Sequence, residues 1–256
     1  MENSQQFVAY VINMDGAEQR MSHMQSELER VHIRFVRQTG VDGKKLSYPH
    51  PQFSDWSYKY LHGRLWSAKE LGCYLSHIEC LRSFLASDFS YALILEDDLQ
   101  IDPNLLHLLN ESLKYSKDWD MLRLSSVNKG RWWPTIPLTD KHSLAVCLTR
   151  EKGAGGYFVN RKAAKKMIRW LLPMRLAWDI AFDLEWLMGF KTLGVAPLPI
   201  RQNDGFESQI QHSVLNTKLR GNAKYFTVLP FRCVLEVMRV LYRSYHFLRT
   251  RLFGGG

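Results

Sequence analysis

Three consecutive carboxylates, Glu96, Asp97 and Asp98, close the apolar run Tyr91-Ala92-Leu93-Ile94-Leu95. The run reads as a strand buried on both faces, so the acids at its end need a cation, hydrogen-bond donors or open solvent. Ligands of open α/β sheets bind just beyond the carboxyl ends of the parallel strands, which gives this position weight. Hard oxygen donors there suit Mg2+ or Mn2+, ions that keep several waters and share their coordination with substrate phosphates. The plainer reading is a solvated acidic loop that also caps the helix after Asp102-Pro103.

A second acidic pair lies in Ala177 to Trp186, a segment that reads as a helix with Asp179 and Asp183 one turn apart on the same face. Neighbouring carboxylates repel, so one tends to be protonated or held by a partner, and such a pair is a candidate for base chemistry. Alternatively Asp179 caps the helix and Asp183 faces solvent. The polar loop Arg201 to His212 ends in a histidine that could complete a metal shell, although a lone His is more often structural.

The elements that must position these groups follow from periodicity. Phe7 to Asn13 is a β-rich apolar run, Asp15-Gly16-Ala17-Glu18 looks like a helix start, and Met21, Met24, Leu28 and Val31 form a helical stripe before a second strand near Ile33 to Gln38. This is a βαβ opening. The glycines of Thr39-Gly40-Val41-Asp42-Gly43 permit either a local turn or close backbone approach to a ligand. Lys44 to Trp66 is aromatic and aperiodic, a loop long enough to suggest an acceptor-side lid. Ser67-Ala68-Lys69-Glu70 is a capping box, opening a helix with Leu71, Tyr74, Leu75, Ile78, Leu81 and Leu85 on one face. On these residues alone Glu70 is the cap, and Ser76 and His77 are polar residues at the edge of that face.

Further on, Asp102-Pro103 starts a leucine-rich helix, Trp119 to Ser125 reads as a strand, and Asn128 to Pro134 reads as a polar loop. Gly153-Ala154-Gly155-Gly156 precedes a short strand and a basic helix from Arg161; it is not the GxGxxG dinucleotide fingerprint. Lys191 to Ile200, with Pro197 and Pro199, reads as an edge strand. Strands alternating with helices make a mainly parallel sheet the expected architecture.

Apolar content of 46% and charged content of 23% in 256 residues are ordinary for a globular protein with a full core. No window offers a membrane span and the opening residues carry no signal-peptide pattern, so the expected address is the cytoplasm. Cys73, Cys80, Cys147 and Cys233 form no CxxC pair and read as reduced and structural, with packing the expected role of Cys73 and no zinc site indicated. The net charge of +9 sits mostly in the tail, where Lys218, Arg220, Lys224, Arg232, Arg239, Arg243, Arg249 and Arg251 face Glu236 alone. Tyr225 to Phe253 therefore reads as a basic amphipathic helix for an anionic membrane surface, with a helix docked on the domain as the alternative. The expected division is a catalytic domain over 1–217 and a tail over 218–256.

Taken together, Tyr10-Val11-Ile12-Asn13-Met14-Asp15 with Arg20, Gly40-Val41-Asp42-Gly43, Glu70-Leu71-Gly72-Cys73-Tyr74-Leu75-Ser76-His77, Ile94-Leu95-Glu96-Asp97-Asp98 and Trp119-Asp120-Met121-Leu122 resemble glycosyltransferase family 25. That family includes bacterial lipooligosaccharide galactosyltransferases and collagen galactosyltransferases. The resemblance runs from about Phe7 to about His212 and leaves the tail outside it.

It implies a single Rossmann-type domain of the GT-A kind and a divalent-metal-dependent, inverting hexosyl transfer. The implied donor is a UDP-sugar, UDP-galactose before UDP-glucose, and the implied acceptor a lipid-linked lipooligosaccharide core at the cytoplasmic face of a bacterial inner membrane. Asp98 becomes the foremost metal ligand with Glu96 beside it, and Asn13, Arg20, Asp42, Glu70, Ser76, His77 and Asp97 become donor-side candidates. Asp179 becomes the first choice of base and Asp183 the second. A metal-dependent phosphoryl-transfer or hydrolytic enzyme, and a module binding nucleic acid or membrane through its tail, are the competing classes; nucleic acid is not the expected partner.

Overall fold

A computed structural model describes residues 6–128, 130–203, 205 and 223–253. Its strands are β1 Phe7–Asn13, β2 Phe35–Thr39, β3 Tyr91–Leu95, β4 Leu99–Ile101, β5 Met121–Arg123, β6 Trp132–Pro137, β7 Ser143–Cys147, β8 Gly156–Asn160, β9 Thr192–Ala196 and β10 Ile200–Gln202. The helices include α1 Glu18–Arg30, the single turn α2 Asp55–Ser57, α3 Ala68–Ala86, α4 Leu105–Leu113, α5 Arg161–Leu171, the short α6 Trp178–Ala181 and α7 Glu185–Met188, and a C-terminal helix Val228–Phe253 preceded by the turn Ala223–Phe226.

Eight strands form one sheet in the order β2-β1-β3-β8-β5-β9-β7-β6, and β4 pairs with β10 separately. β8 and β7 run against the other six, so the sheet is mixed but mainly of one direction. The βαβ opening is present: β1 pairs parallel with β2 and with β3. Side chains alternate across each strand, so Val8 and Tyr10 pack with α3 and α5 on one face, while Phe7, Ala9 and Val11 pack with α1 and α4 on the other. Two covered faces explain why β1 and β3 are continuously apolar.

Several elements depart from the sequence reading. Asp15 does not cap α1, whose N-cap is Ala17 with no side-chain bond; Asp15 pairs with Arg37 at 2.8 Å instead. Part of the expected Asn128–Pro134 loop is strand β6, which Pro134 tolerates because β6 is the sheet edge. The expected edge strand is β9, an interior strand between β5 and β7, with Pro197 and Pro199 lying beyond its end. The expected Ala177–Trp186 helix is two short pieces, α6 and α7, with Asp183 in the break, so Asp179 and Asp183 do not share a helix face.

The C-terminal helix docks on the domain through an arginine-bearing face. Leu235, Arg239, Arg243, His246 and Thr250 are buried at spacings of three and four residues. Arg243 donates from Nε to Glu185 at 2.5 Å and from Nη2 to Asp183 at 3.2 Å. Two arginines expected on the outer, basic face are therefore interior ion-pair partners. The boundary expected at 217/218 lies outside the described residues.

Candidate active site

The parallel strands β1, β2 and β3 end on one side, where their loops and the first turns of α1 and α3 enclose a cavity of about 610 Å³. Its lining includes Asp15, Arg20, Asp42, Lys44, Lys69, Cys73, Ser76, His77, Glu96, Asp97, Asp98 and Gln202. That volume is of nucleotide size and its position is the one expected of an open α/β sheet.

The three carboxylates are treated differently. Asp97 accepts from Arg20 Nη1 at 2.7 Å and from Asn13 Nδ2 at 2.8 Å, so its charge is neutralised within the protein. Asp98 is buried, its Oδ2 accepts from Gln202 Nε2 at 3.2 Å, and its Oδ1 has no hydrogen-bond partner among the described residues. Burial first, and the Glu96 charge second, push its carboxyl up to about 6 against the opposing pull of Gln202 and Arg20. Glu96 stays about one-third exposed, with Oε1 3.4 Å from His77 Nε2. An orphaned buried carboxylate oxygen beside a second, exposed carboxylate is what a hard divalent cation requires, so these residues fit Mg2+ or Mn2+.

His77 is fixed from two sides. Its ring stacks on Trp178 at 4.7 Å and 8°, and its Nδ1 lies 3.3 Å from the Tyr157 hydroxyl. Cys73 sits one turn before it on α3, and the Cys73, His77 and Glu96 ligand atoms lie within 4.8 Å of one another. Cys73 thus lines the cavity rather than only packing the core. Burial, and then the Glu96 and Asp179 carboxylates, raise its thiol well above the ordinary range, which leaves the oxygen set of Glu96 and Asp98 the better metal site.

The glycine loop is explained by close packing against α3. Ser76 Oγ accepts from Val41 N at 2.8 Å and donates to Gly72 O at 2.7 Å. A Cβ on Gly43 would stand 2.3 Å from Ala68 O, and one on Gly72 would stand 2.6 Å from Val41 O. The two backbones touch, which holds Asp42 and Lys44 at the cavity wall. Asp42 also accepts from Lys44 N at 2.9 Å, capping a single 3-10 turn.

Other sequence-derived candidates lie elsewhere. Asn13 is behind Asp97, bonded also to Ala17 O and Arg37, and does not line the cavity. Glu70 points away from it, accepting from Tyr58 Oη and Arg64 Nη1, each at 2.6 Å, so it anchors the aromatic segment before α3. The Ser67 side chain caps α3 through the Glu70 N–H. Asp183 is wholly buried and bound by Arg123 at 2.5 Å, with Arg243 and Arg239 at 3.2 and 3.5 Å. Burial alone would raise its carboxyl, but Arg123, Arg243 and Arg239 hold it below the ordinary range, so it is an ion-pair hub unsuited to accept a proton. Asp179 does not line the cavity either; it remains one-third exposed, 3.4 Å from Arg150 and next in sequence to the Trp178 that stacks on His77. His212 lies outside the described residues. Gln202, on β10, carries no signal in the sequence, because nothing in a polar loop shows that β4 will pair with it and bring it to Asp98.

The chain is similar in sequence to known proteins. A lipooligosaccharide biosynthesis protein, lic2B, of Haemophilus influenzae is 25% identical over 248 residues, covering 90% of this chain and 89% of the relative. Procollagen galactosyltransferase 1-A of Xenopus laevis is 26% identical over 170 residues, 62% of this chain, and the chain spans only 27% of that relative's length. Among solved structures, A197 from STIV superposes with a TM-score of 0.41 at 10% identity, covering 81% of this chain and 99% of that one. The model of glycosyltransferase family 25 (LPS biosynthesis protein) matches residues 7–182, from β1 through α6, and the chain belongs to that family.

Proposed function

We propose that this glycosyltransferase moves a hexose from a UDP-sugar, galactose before glucose, to a lipid-linked lipooligosaccharide or lipopolysaccharide core at the cytoplasmic face of a bacterial inner membrane. The observation that carries this reading is the Asp98 Oδ1, without a hydrogen-bond partner among the described residues, beside Glu96 in the wall of a nucleotide-sized cavity. Mn2+ or Mg2+ held by Asp98 and Glu96 would supply Lewis-acid neutralisation of the donor diphosphate.

The chain's own residues divide the remaining work. Lys44 and Lys69 place positive charge along the cavity wall, where a diphosphate is complemented, and Arg20, paired with Asp97, lines the wall beside them. His77, held by Trp178 and Tyr157, places its Nε2 3.4 Å from the Glu96 carboxylate at the cavity wall. Asp179 takes the proton of the acceptor hydroxyl as its oxygen bonds to the anomeric carbon and the bond to the leaving diphosphate breaks. Attack opposite the leaving group inverts the centre, so an α-linked donor gives a β-linked product. Arg150 Nη2 stands 3.4 Å from the Asp179 Oδ2 and orients the carboxylate. The lic2B relative, matched along nearly its whole length, supports the bacterial acceptor class.

Incubation with UDP-hexoses, Mn2+ and a truncated core oligosaccharide, with the product read by NMR, tests this. A β-linked product that disappears in chelator supports the reading; an α-linked product removes inversion and the assigned base, and turnover of the donor without an acceptor favours a hydrolase.

A further inference from the structure

The C-terminal helix is inside out. Its polar residues Arg239, Arg243, His246 and Thr250 face the domain, while Val234, Val237, Leu241, Tyr245, Leu248 and Leu252 are exposed. The exposed residues recur at spacings of three and four, so they form one continuous stripe on the side opposite the docked face. Leu241 is 61% and Leu252 71% exposed, and Tyr225 and Phe226, in the short turn before the helix, are exposed too. A stripe of this length in water is an interaction surface rather than scatter.

Charge identifies the occupant. At 3.6 residues per turn, Arg249 and Arg251 fall on the two flanks of the stripe, and both are exposed. The helix's single acid, Glu236, is already paired with the buried Arg239. Lys224 is exposed near the other end, while Arg232 lies on the docked side and donates to His62 O at 3.3 Å. A second copy packed antiparallel on this face would bring Arg249 and Arg251 of one helix toward Lys224 of the other, with Glu236 already paired. An anionic bilayer complements both features, taking the apolar side chains below the headgroups and the guanidinium groups among them.

We infer that the outward stripe of Val228–Phe253 seats the enzyme flat on an anionic membrane. The buried Arg239 and Arg243 pairs fix the helix so that its apolar side, not its arginines, leads. The cavity then stands at a set height and orientation above the lipid that carries the acceptor. Vesicle binding needs neither donor nor metal, so its failure would leave the proposed transfer standing.

The test is flotation of the full chain with phosphatidylglycerol-containing vesicles and with pure phosphatidylcholine vesicles. The expected result is binding to the anionic vesicles, weakened about tenfold or more in Leu241→Ser/Leu248→Ser. Arg249→Gln/Arg251→Gln should retain residual binding and lose the preference for anionic lipid. All four positions are exposed, and unchanged thermal melts confirm that the variants fold. No flotation of the wild-type chain, or equal flotation of the leucine variant, overturns the inference. So does a dimer, seen by analytical ultracentrifugation, that the leucine variant abolishes without any vesicle binding.

Discussion

Arg20 donates to Asp97 at 2.7 Å and stands 3.7 Å from Asp98, so adjacent carboxylates differ in what neutralises them. Asp97 is satisfied by the fold, and Asp98 keeps an oxygen for something the fold does not supply. This asymmetry separates structural from chemical roles within one acidic triplet.

The asymmetry predicts a pH signature. The folded Asp98 carboxyl is raised from 3.8 to about 6, so the stability it contributes is complete below the unfolded value and is lost as pH rises through the folded one. In chelator, melting followed between those two values should show a decline that Asp98→Asn flattens, on the order of 3 kcal/mol before relaxation. An unchanged slope in the variant would show that the decline has another source.

Asp179 and Asp183 should separate in their effects. Asp179→Asn removes a partly exposed carboxylate with one long contact to Arg150, so stability should hold while turnover falls about 100-fold or more. Asp183→Asn leaves Arg123, Arg239 and Arg243 under-compensated in the interior and should destabilise by about 3–5 kcal/mol, read by denaturant unfolding. Loss of turnover in Asp183→Asn with full stability would reverse the assignment.

Glu70 is expected to matter for stability and not for nucleotide binding. Glu70→Ala strands the Tyr58 hydroxyl and the Arg64 guanidinium and should lower unfolding stability by about 3 kcal/mol. UDP affinity measured by calorimetry should stay within about twofold, because Glu70 does not line the cavity.

Gly43→Ala tests the contact between the glycine loop and α3. The new methyl would meet Ala68 O at 2.3 Å, and neither backbone can swing away as a side chain would. A stability loss of about 1–3 kcal/mol should accompany weaker donor binding, since Asp42 and Lys44 move with the loop.

How much of this was legible follows from interaction range. β1, α1, β2 and β3 were readable because two-sided burial makes each strand an unbroken apolar run and the intervening helix keeps its stripe. The acidic triplet was readable as a site from its place at the end of β3. That Asp97 would be neutralised and Asp98 left open was not, because the decision belongs to Arg20, 77 residues away, and to Gln202, 104 residues away. Asp183 misled for the same reason: i,i+4 spacing suggested a pair with Asp179, whereas three distant arginines fix it. The tail showed its amphipathicity, but only the acids Asp183 and Glu185 reveal that the arginine side turns inward.

The central claim is that Asp98 completes a metal-dependent UDP-sugar site. Melting of the wild-type chain and Asp98→Ala with Mn2+ and a panel of UDP-, GDP- and CMP-sugars tests it most directly. A donor at 100 times its dissociation constant should stabilise the wild-type chain by about 2.7 kcal/mol, only with the metal, and should leave the variant unmoved. Stabilisation that persists in Asp98→Ala or without metal, or none with any nucleotide sugar, would contradict the account.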